Sequence, residues 1–231
     1  MRIAILEPGA PPKDLIGRFG SYGDMVAAML GGGFETQAFD VRRGIYPPTD
    51  GFDGYVITGS AAGVYDPDPW IPALKDWIQR TAGAAPMIGI CFGHQLMAEA
   101  FGGRAEKSAK GWGVGLDTYT LNTTAPWMDR DAASMTLPVS HQDQVTAVGP
   151  GAAVLGGSDF CPFGLIAYPD RKALSLQPHP EFDPAYAAAL ITTRRDGPLT
   201  PAHADRAIAS LKAPNDNAKV AGWLRRFLRE G

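Results

Sequence analysis

Pro86-Met87-Ile88-Gly89-Ile90-Cys91-Phe92-Gly93-His94-Gln95 is an apolar run that ends at a cysteine set between two glycines. The segment Leu96-Met97-Ala98-Glu99-Ala100-Phe101 continues in a mixed polar and apolar pattern until Gly102-Gly103 stop it. The pattern predicts a buried strand, an abrupt turn and a helix, with Cys91 at the turn. This is the layout of a nucleophile elbow, in which a strained turn lifts one reactive side chain above the end of a sheet. Backbone crowds such a turn, so glycine two residues away on each side has a steric reason. A thiol at a helix N-terminus also feels the positive end of the helix dipole, which favours thiolate. A buried core cysteine is the plainer reading, and the paired glycines count against it.

The chain before this motif alternates strand and helix. Arg2 to Leu6 is a short apolar strand, and Ser21 to Leu30 has helical spacing, with Tyr22, Val26, Met29 and Leu30 on one face and Gly31-Gly32-Gly33 as a stop. Phe34 to Phe39 and Tyr55 to Thr58 read as two more strands, the second running into the small-residue loop Gly59-Ser60-Ala61-Ala62-Gly63. Pro69 to Ala82 carries Trp70, Leu74, Trp77 and Ile78 at helical spacing. This alternation implies right-handed crossovers and a mainly parallel sheet. Residues 104 to 177 differ, with short alternating runs at Leu116 to Leu121, Met135 to Val139, Val145 to Val148 and Leu174 to Gln177. These predict antiparallel strands added to the same sheet system. From Asp183 onward the helical period returns, in three pieces separated by Gly197-Pro198 and Ala213-Pro214. The expected fold is α/β, a mainly parallel central sheet flanked by helices with added antiparallel strands. With no repeat and no long linker, residues 1–231 are expected to form a single domain, 183–231 being its C-terminal helical segment.

Composition excludes several classes. The chain has 231 residues, 45% hydrophobic and 19% charged, with a formal net charge of -3. No basic block suggests nucleic acid or an anionic membrane. The apolar runs are strand-sized, far short of the roughly 20 residues that span a bilayer. Met1-Arg2 leads directly into Ile3-Ala4-Ile5-Leu6 and then Glu7-Pro8-Gly9, too short for the core of a signal peptide. Two cysteines make neither a disulfide framework nor a metal site. The expectation is a cytoplasmic protein without metal or other cofactor.

A cysteine nucleophile needs a base and a group that orients it. The chain offers four histidines, His94, His141, His179 and His203. His203 lies in a polar helical stretch and reads as a surface residue. His94 follows the elbow on its helix and points poorly toward Cys91, so packing or a hydrogen bond is expected of it. His141, in Val139-Ser140-His141-Gln142-Asp143, sits in a polar turn suited to lining a pocket. His179 stands in Leu176-Gln177-Pro178-His179-Pro180-Glu181, at the end of an apolar strand. Residues two apart in extended backbone share a face, which lets Glu181 hold the His179 imidazole and stabilise its charged form. Pro180 fixes the local backbone between them. Cysteine, histidine and carboxylate together follow the logic of acyl-transfer sites.

These residues resemble the class I, or triad, glutamine amidotransferases, in particular the glutaminase domain of GMP synthase. Gly89-Ile90-Cys91-Phe92-Gly93-His94-Gln95 is similar to the family's nucleophile box and His179-Pro180-Glu181 to its base box. Thr58-Gly59-Ser60 resembles the loop that helps form its oxyanion hole, and Ser140-His141-Gln142-Asp143 the turn that lines its glutamine pocket. Gly111-Trp112-Gly113-Val114 is similar to the segment after the nucleophile helix. The likeness spans roughly residues 50 to 182. Pro178 departs from it, standing where relatives carry an aromatic residue, with an effect expected on packing.

The resemblance implies a flavodoxin-like three-layer sandwich. It implies that Cys91 attacks the side-chain amide of glutamine, that His179 serves as base and then acid, and that Glu181 positions His179. It places the oxyanion on the Gly59 and Phe92 amides, with Gln95, Ser140, His141, Gln142 and Asp143 as substrate-binding candidates. Gln95 has a plainer reading as a helix-capping residue. A γ-glutamyl thioester would form and be hydrolysed, with the ammonia passed to a separate synthetase, since no phosphate-binding Gly-x-x-x-x-Gly-Lys-Ser/Thr loop is present. The alternatives are a free-standing hydrolase of γ-glutamyl peptides or amides with the same triad, and a silent binding module. An apolar patch beside the Cys91 pocket would favour the partner-dependent enzyme.

Overall fold

The computed structural model describes residues 1–48 and 50–230. Its elements run β1 (Arg2–Leu6), α1 (Lys13–Phe19), α2 (Tyr22–Leu30), β2 (Glu35–Phe39), β3 (Gly54–Ile57), α3 (Trp70–Thr81), β4 (Met87–Ile90) and α4 (Phe92–Ala100). They continue with β5 (Arg104–Lys107), β6 (Gly113–Leu121), β7 (Ser134–His141), β8 (Asp143–Ala147), β9 (Ala153–Gly157), β10 (Leu165–Tyr168) and β11 (Ala173–Leu176). The helices α5 (Pro184–Arg194), α6 (Pro201–Ser210) and α7 (Asn217–Glu230) close the chain. Gly231, the last residue of the expected helical segment, lies outside the described residues.

The central sheet has nine strands in the order β2-β1-β3-β4-β11-β10-β9-β6-β7. The strands β2, β1, β3, β4 and β11 are mutually parallel, and from β10 outward every pairing is antiparallel. The fold is therefore α/β with a mixed sheet, a parallel core extended by antiparallel strands.

The inner parallel strands β1, β3, β4 and β11 are buried on both faces, as strands covered by crossover helices must be, whereas the edge strand β2 is largely exposed. Ile3, Ile5, Val56, Ile88 and Ile90 face one cluster, which also holds Val26 and Leu30 of α2 and Val220, Trp223, Leu224 and Phe227 of α7. Ala4, Leu6, Tyr55, Ile57 and Met87 face the other, with Leu74, Trp77 and Ile78 of α3 and Phe92, Leu96 and Met97 of α4. The final helix thus buries its apolar stripe on the sheet beside α2. The helices α5 and α6 cover the antiparallel end, placing Ile191, Ala204 and Ala207 against Trp112, Val114 and Leu116.

Three local features depart from the sequence pattern. The run Leu174 to Gln177, expected as an antiparallel strand, forms β11, which pairs parallel with β4 and antiparallel only with β10, so it closes the parallel core. The strand expected near Val145 does not join the main sheet. It pairs as β8 with β5 in a separate two-stranded ribbon. Ala105 and Val145 pack into the cluster around α4, so the ribbon lies over that helix rather than on a sheet edge. The helix α1 was also unmarked in the pattern. It buries only Leu15, too little to leave a visible period, and starts and stops at Pro12 and Gly20 (φ 78°).

Candidate active site

The elbow is strained in the way the motif requires. Cys91 has φ 53° and ψ -102°, one of three non-glycine residues with positive φ among the described residues. Such a conformation costs on the order of 1–3 kcal/mol and persists only where the surroundings enforce it. Here the Cys91 amide donates to the Leu176 carbonyl at 2.9 Å, tying β4 to β11, and the Cys91 carbonyl accepts from the Gln95 amide at 3.0 Å to open α4. A Cβ on Gly89 would stand 2.7 Å from the Gly93 carbonyl carbon, and one on Gly93 would stand 2.4 Å from the Ile57 carbonyl oxygen. Both glycines are steric necessities, because helix, turn and neighbouring strand approach backbone to backbone.

Because β11 inserts beside β4, the loop after β11 arrives next to the elbow. His179 and Glu181 meet there, but not in extended backbone. The strand ends at Leu176, and the Phe182 amide donates to the His179 carbonyl at 3.3 Å, closing a tight turn. Pro180, the second residue of that turn, presets the φ that a turn favours at this place. The His179 Nδ1 to Glu181 Oε1 distance is 2.7 Å, and the side chains are only 4% and 1% exposed. Phe182 stacks on the imidazole at 3.8 Å with the rings 6° apart, and the His179 amide donates to the Pro138 carbonyl at 2.9 Å. The Asn217 amide nitrogen at the start of α7 holds the loop from behind, donating to the carbonyls of Pro180 (3.0 Å) and Phe182 (2.8 Å).

Burial opposes a charge on His179, but the Glu181 carboxylate and the negative charge available at Cys91, hydrogen-bonded to the ring, outweigh it and raise its pKa to about 10. The ring is poised as imidazolium. With Nδ1 on Glu181, Nε2 remains for the thiol.

Gly59 lies over this pair. A Cβ there would be 3.1 Å from His179 Cε1 and 3.6 Å from Cys91 Cβ. Ser60 Oγ anchors the loop on the Pro8 carbonyl at 2.9 Å. Among the described residues, neither the Gly59 amide nor the Phe92 amide donates a hydrogen bond. Both are free to bind an anion developing at the elbow.

A cleft of about 350 Å³ opens from Cys91. Its wall includes all five residues of the expected substrate set, Gln95, Ser140, His141, Gln142 and Asp143. Gln95 does not cap its helix. Its amide nitrogen donates to the Asp143 carbonyl (2.8 Å) and to Gln177 Oε1 (3.1 Å), so it braces the wall. His141 Nδ1 lies 2.9 Å from the same carbonyl, while its buried Nε2 has no partner. Burial pushes the His141 pKa down to about 4, so this ring is neutral.

The cleft also holds Arg194, which the sequence pattern did not single out. It lies over the Trp112 ring at 4.7 Å and donates to Ser140 Oγ. As the basic end of α5 it reads like any residue that complements a helix dipole. Lys107, Asp66 and Tyr65 complete the polar rim, and Tyr65, held against Asp143, has its pKa raised to about 12, first by desolvation and then by that carboxylate.

The remaining histidines lie outside the relay. His94 is buried with Nδ1 2.8 Å from Ser175 Oγ, and burial pushes its pKa down to about 3. The His203 amide donates to the Thr200 cap of α6. Among the described residues no group of three His, Cys, Asp or Glu side chains converges to hold a metal, and no helix is long and apolar enough to cross a membrane.

The family model of glutamine amidotransferase class-I matches residues 34–193. A glutamine amidotransferase-like protein of Schizosaccharomyces pombe is 29% identical over 247 residues, covering 99% of this chain and 98% of that protein. Gamma-glutamyl peptidase 5 of Arabidopsis thaliana is 29% identical over 71% of this chain and 69% of its own. The GMP synthase of Thermus thermophilus is 33% identical over 54% of this chain, which is 24% of that enzyme. A crystal structure of a glutamine amidotransferase from Thermotoga maritima superposes with a TM-score of 0.74 over 99% of this chain and 98% of that one, at 17% identity. The strand order, the elbow and the extent of the family match lead to one conclusion: this chain belongs to the class I glutamine amidotransferases.

Proposed function

We propose that the protein is a cysteine amidohydrolase that cleaves the γ-glutamyl amide bond, with Cys91, His179 and Glu181 as its triad. The observation that carries this reading is the buried relay itself: a strained thiol, an imidazole with pKa raised to about 10, and a carboxylate 2.7 Å from that imidazole.

Cys91 Sγ, as thiolate, adds to the amide carbon. The oxyanion falls to the Gly59 and Phe92 amides, each such donor typically worth about 3 kcal/mol in the transition state. His179 donates its Nε2 proton to the departing nitrogen, the C–N bond breaks, and a γ-glutamyl thioester remains. Water then attacks the thioester with its proton passing to His179, and glutamate and the Cys91 thiolate are released. Glu181 holds the imidazolium in place throughout. The neutral His141 offers its free Nε2 to the substrate, and Asp143 with Asp66 suits an α-ammonium group.

The cleft favours a γ-glutamyl peptide as substrate. It carries two cationic side chains, Arg194 and Lys107, enough for two carboxylates. A γ-glutamyl dipeptide has two, whereas glutamine has one. Among the described residues, Tyr65 is the only exposed large apolar side chain on the cleft, so their part of the rim offers no apolar patch of the kind a synthetase partner would cover. Glutamine itself is the second reading, favoured by the likeness to GMP synthase, and in that case ammonia would pass to an acceptor subunit.

The test is to incubate the isolated chain with glutamine and a panel of γ-glutamyl peptides, following glutamate, ammonia and free amine. Peptide cleavage well above glutamine turnover is expected, with Arg194→Ala raising KM about tenfold or more for dipeptides and changing kcat little. Faster turnover of glutamine than of every peptide would overturn the peptide reading. No turnover of any γ-glutamyl compound would overturn the enzyme.

A further inference from the structure

A second cavity, of about 470 Å³, lies behind the triad and plays no part in the chemistry above. It is an open pocket lined by side chains of α1, α2, α5 and α7, among them Met25, Met29 and Tyr186, and Glu181 forms part of its wall. That carboxylate has one oxygen on His179. Its other oxygen, Oε2, is buried without a hydrogen-bond partner, and the side chain is 1% exposed. Asn217 lines the same cavity, and its buried Oδ1 also lacks a donor. A buried acceptor without a donor is costly, more so when charged.

Charge points the same way. Among the described residues the cavity is bordered by Asp24, Glu181 and Asp183 against one cation, Arg225, whose guanidinium donates to the Met29 carbonyl at 3.0 Å. Asp24 and Asp183 each accept a backbone amide at a helix start, at 2.7 Å, which leaves the Glu181 and Asn217 oxygens as the acceptors in want of a donor. A ligand with several N–H donors, a positive charge and a short apolar body satisfies all of these.

We propose that this cavity binds an organic primary ammonium ion, its N–H groups on Glu181 Oε2 and Asn217 Oδ1 and its carbon chain against Met25, Met29 and Tyr186. The bound cation draws on the carboxylate that supports His179 from the opposite side, so it slows turnover without entering the front cleft. This regulatory consequence rests on the amidohydrolase reading, in which ammonia or an amine is the leaving group. Product class and ligand class then coincide.

The probe is n-butylammonium chloride, with 1-butanol as the uncharged control, titrated calorimetrically into the full chain and into Cys91→Ala. Ala28 and Ala218 are exposed residues on opposite walls of the cavity, outside the proposed catalytic and binding machinery, so Ala28→Trp and Ala218→Trp each fill it. Saturable butylammonium binding at least about tenfold tighter than butanol is expected, weakened about tenfold or more in both tryptophan variants. The His179 ring resonances should shift on binding in Cys91→Ala as in the parent chain. Inhibition of turnover should be noncompetitive toward γ-glutamyl substrate. Equal affinity for butanol, binding unchanged in either folded tryptophan variant, or displacement of the probe by glutamate from the front cleft would overturn the proposal. Because binding is read in a variant without turnover, its failure leaves the amidohydrolase reading standing. Intact binding in a chain that never hydrolyses would overturn only that reading and the regulatory consequence.

Discussion

His94 and His179 are both buried, at 0% and 3% exposure, and they stand at the two ends of the same physical scale. His94 lies on α4 with the Ser175 hydroxyl as partner, and burial leaves it neutral with a pKa of about 3. His179 sits in the turn after β11 with a carboxylate at 2.7 Å, and its pKa rises to about 10. His141, held by a carbonyl oxygen, falls with His94, at about 4. Burial pushes all three toward the neutral form, and only an anionic partner reverses the sign. A buried histidine is therefore poised for proton transfer when a carboxylate holds it, and is a structural hydrogen-bonding group when a hydroxyl or carbonyl does.

The pH dependence of stability follows with opposite signs. His179, raised from 6.5, contributes stability that is full below about 6.5 and is lost as pH rises through about 10. His94 and His141, lowered from 6.5, favour the unfolded chain as pH falls below that value, because only the unfolded chain takes up their protons.

The most severe test of this contrast removes the thiol. Cys91→Ala is expected to lower hydrolysis of γ-glutamyl amides about 10⁴-fold or more while circular dichroism and the melting curve stay near those of the parent chain. Full turnover in that variant would sink the catalytic assignment. Next, Glu181→Gln removes the anion that separates His179 from His94. Turnover is expected to fall about 10³-fold, and the His179 ring, followed by NMR, should titrate well below 10, moving the alkaline limb of the rate profile to lower pH. An unmoved titration would show that the carboxylate does not set the charge.

Gly93→Ala tests the elbow that carries both Cys91 and His94. Its Cβ would stand 2.4 Å from the Ile57 carbonyl oxygen, and a loss of about 3 kcal/mol in denaturant unfolding is expected. The smallest effect belongs to Ser175→Ala, which deprives His94 of its 2.8 Å partner. It should cost about 1 kcal/mol and leave the pH–rate profile in place. A shifted profile would mean that His94 does take part in the proton chemistry.

Much of this is legible in local patterns. The strand, glycine, cysteine, glycine, helix order carries the elbow, since each glycine answers a contact that any such turn makes. The His179-Pro180-Glu181 spacing carries the pair, although the pair is made in a turn and not along a strand. The alternation up to Gly103 carries the parallel sheet. Three things were not legible. The ribbon β5–β8 depends on where Ala105 and Val145 find apolar cover, which is a property of α4's surface and not of their own alternation. The helix α1 has too thin an apolar face to announce itself. Arg194 has no local mark of a cleft residue, because its role comes from Trp112, just before β6, and Ser140 of β7.

The amino-acid sequence settled the types of group available for chemistry and marked the turn at Cys91, because the side chains and the flanking glycines lie within a few residues. The strain there is held by Leu176 and Ile57 of neighbouring strands. The tertiary structure settled which groups meet. β11 passes beside β4 and brings His179 to Cys91, the Gly59 loop closes over both, and α5 and α7 supply Arg194 in front and Asn217 behind. Charge was settled at the same level, since a histidine's protonation depends on the partner that packing delivers and on the water that packing removes.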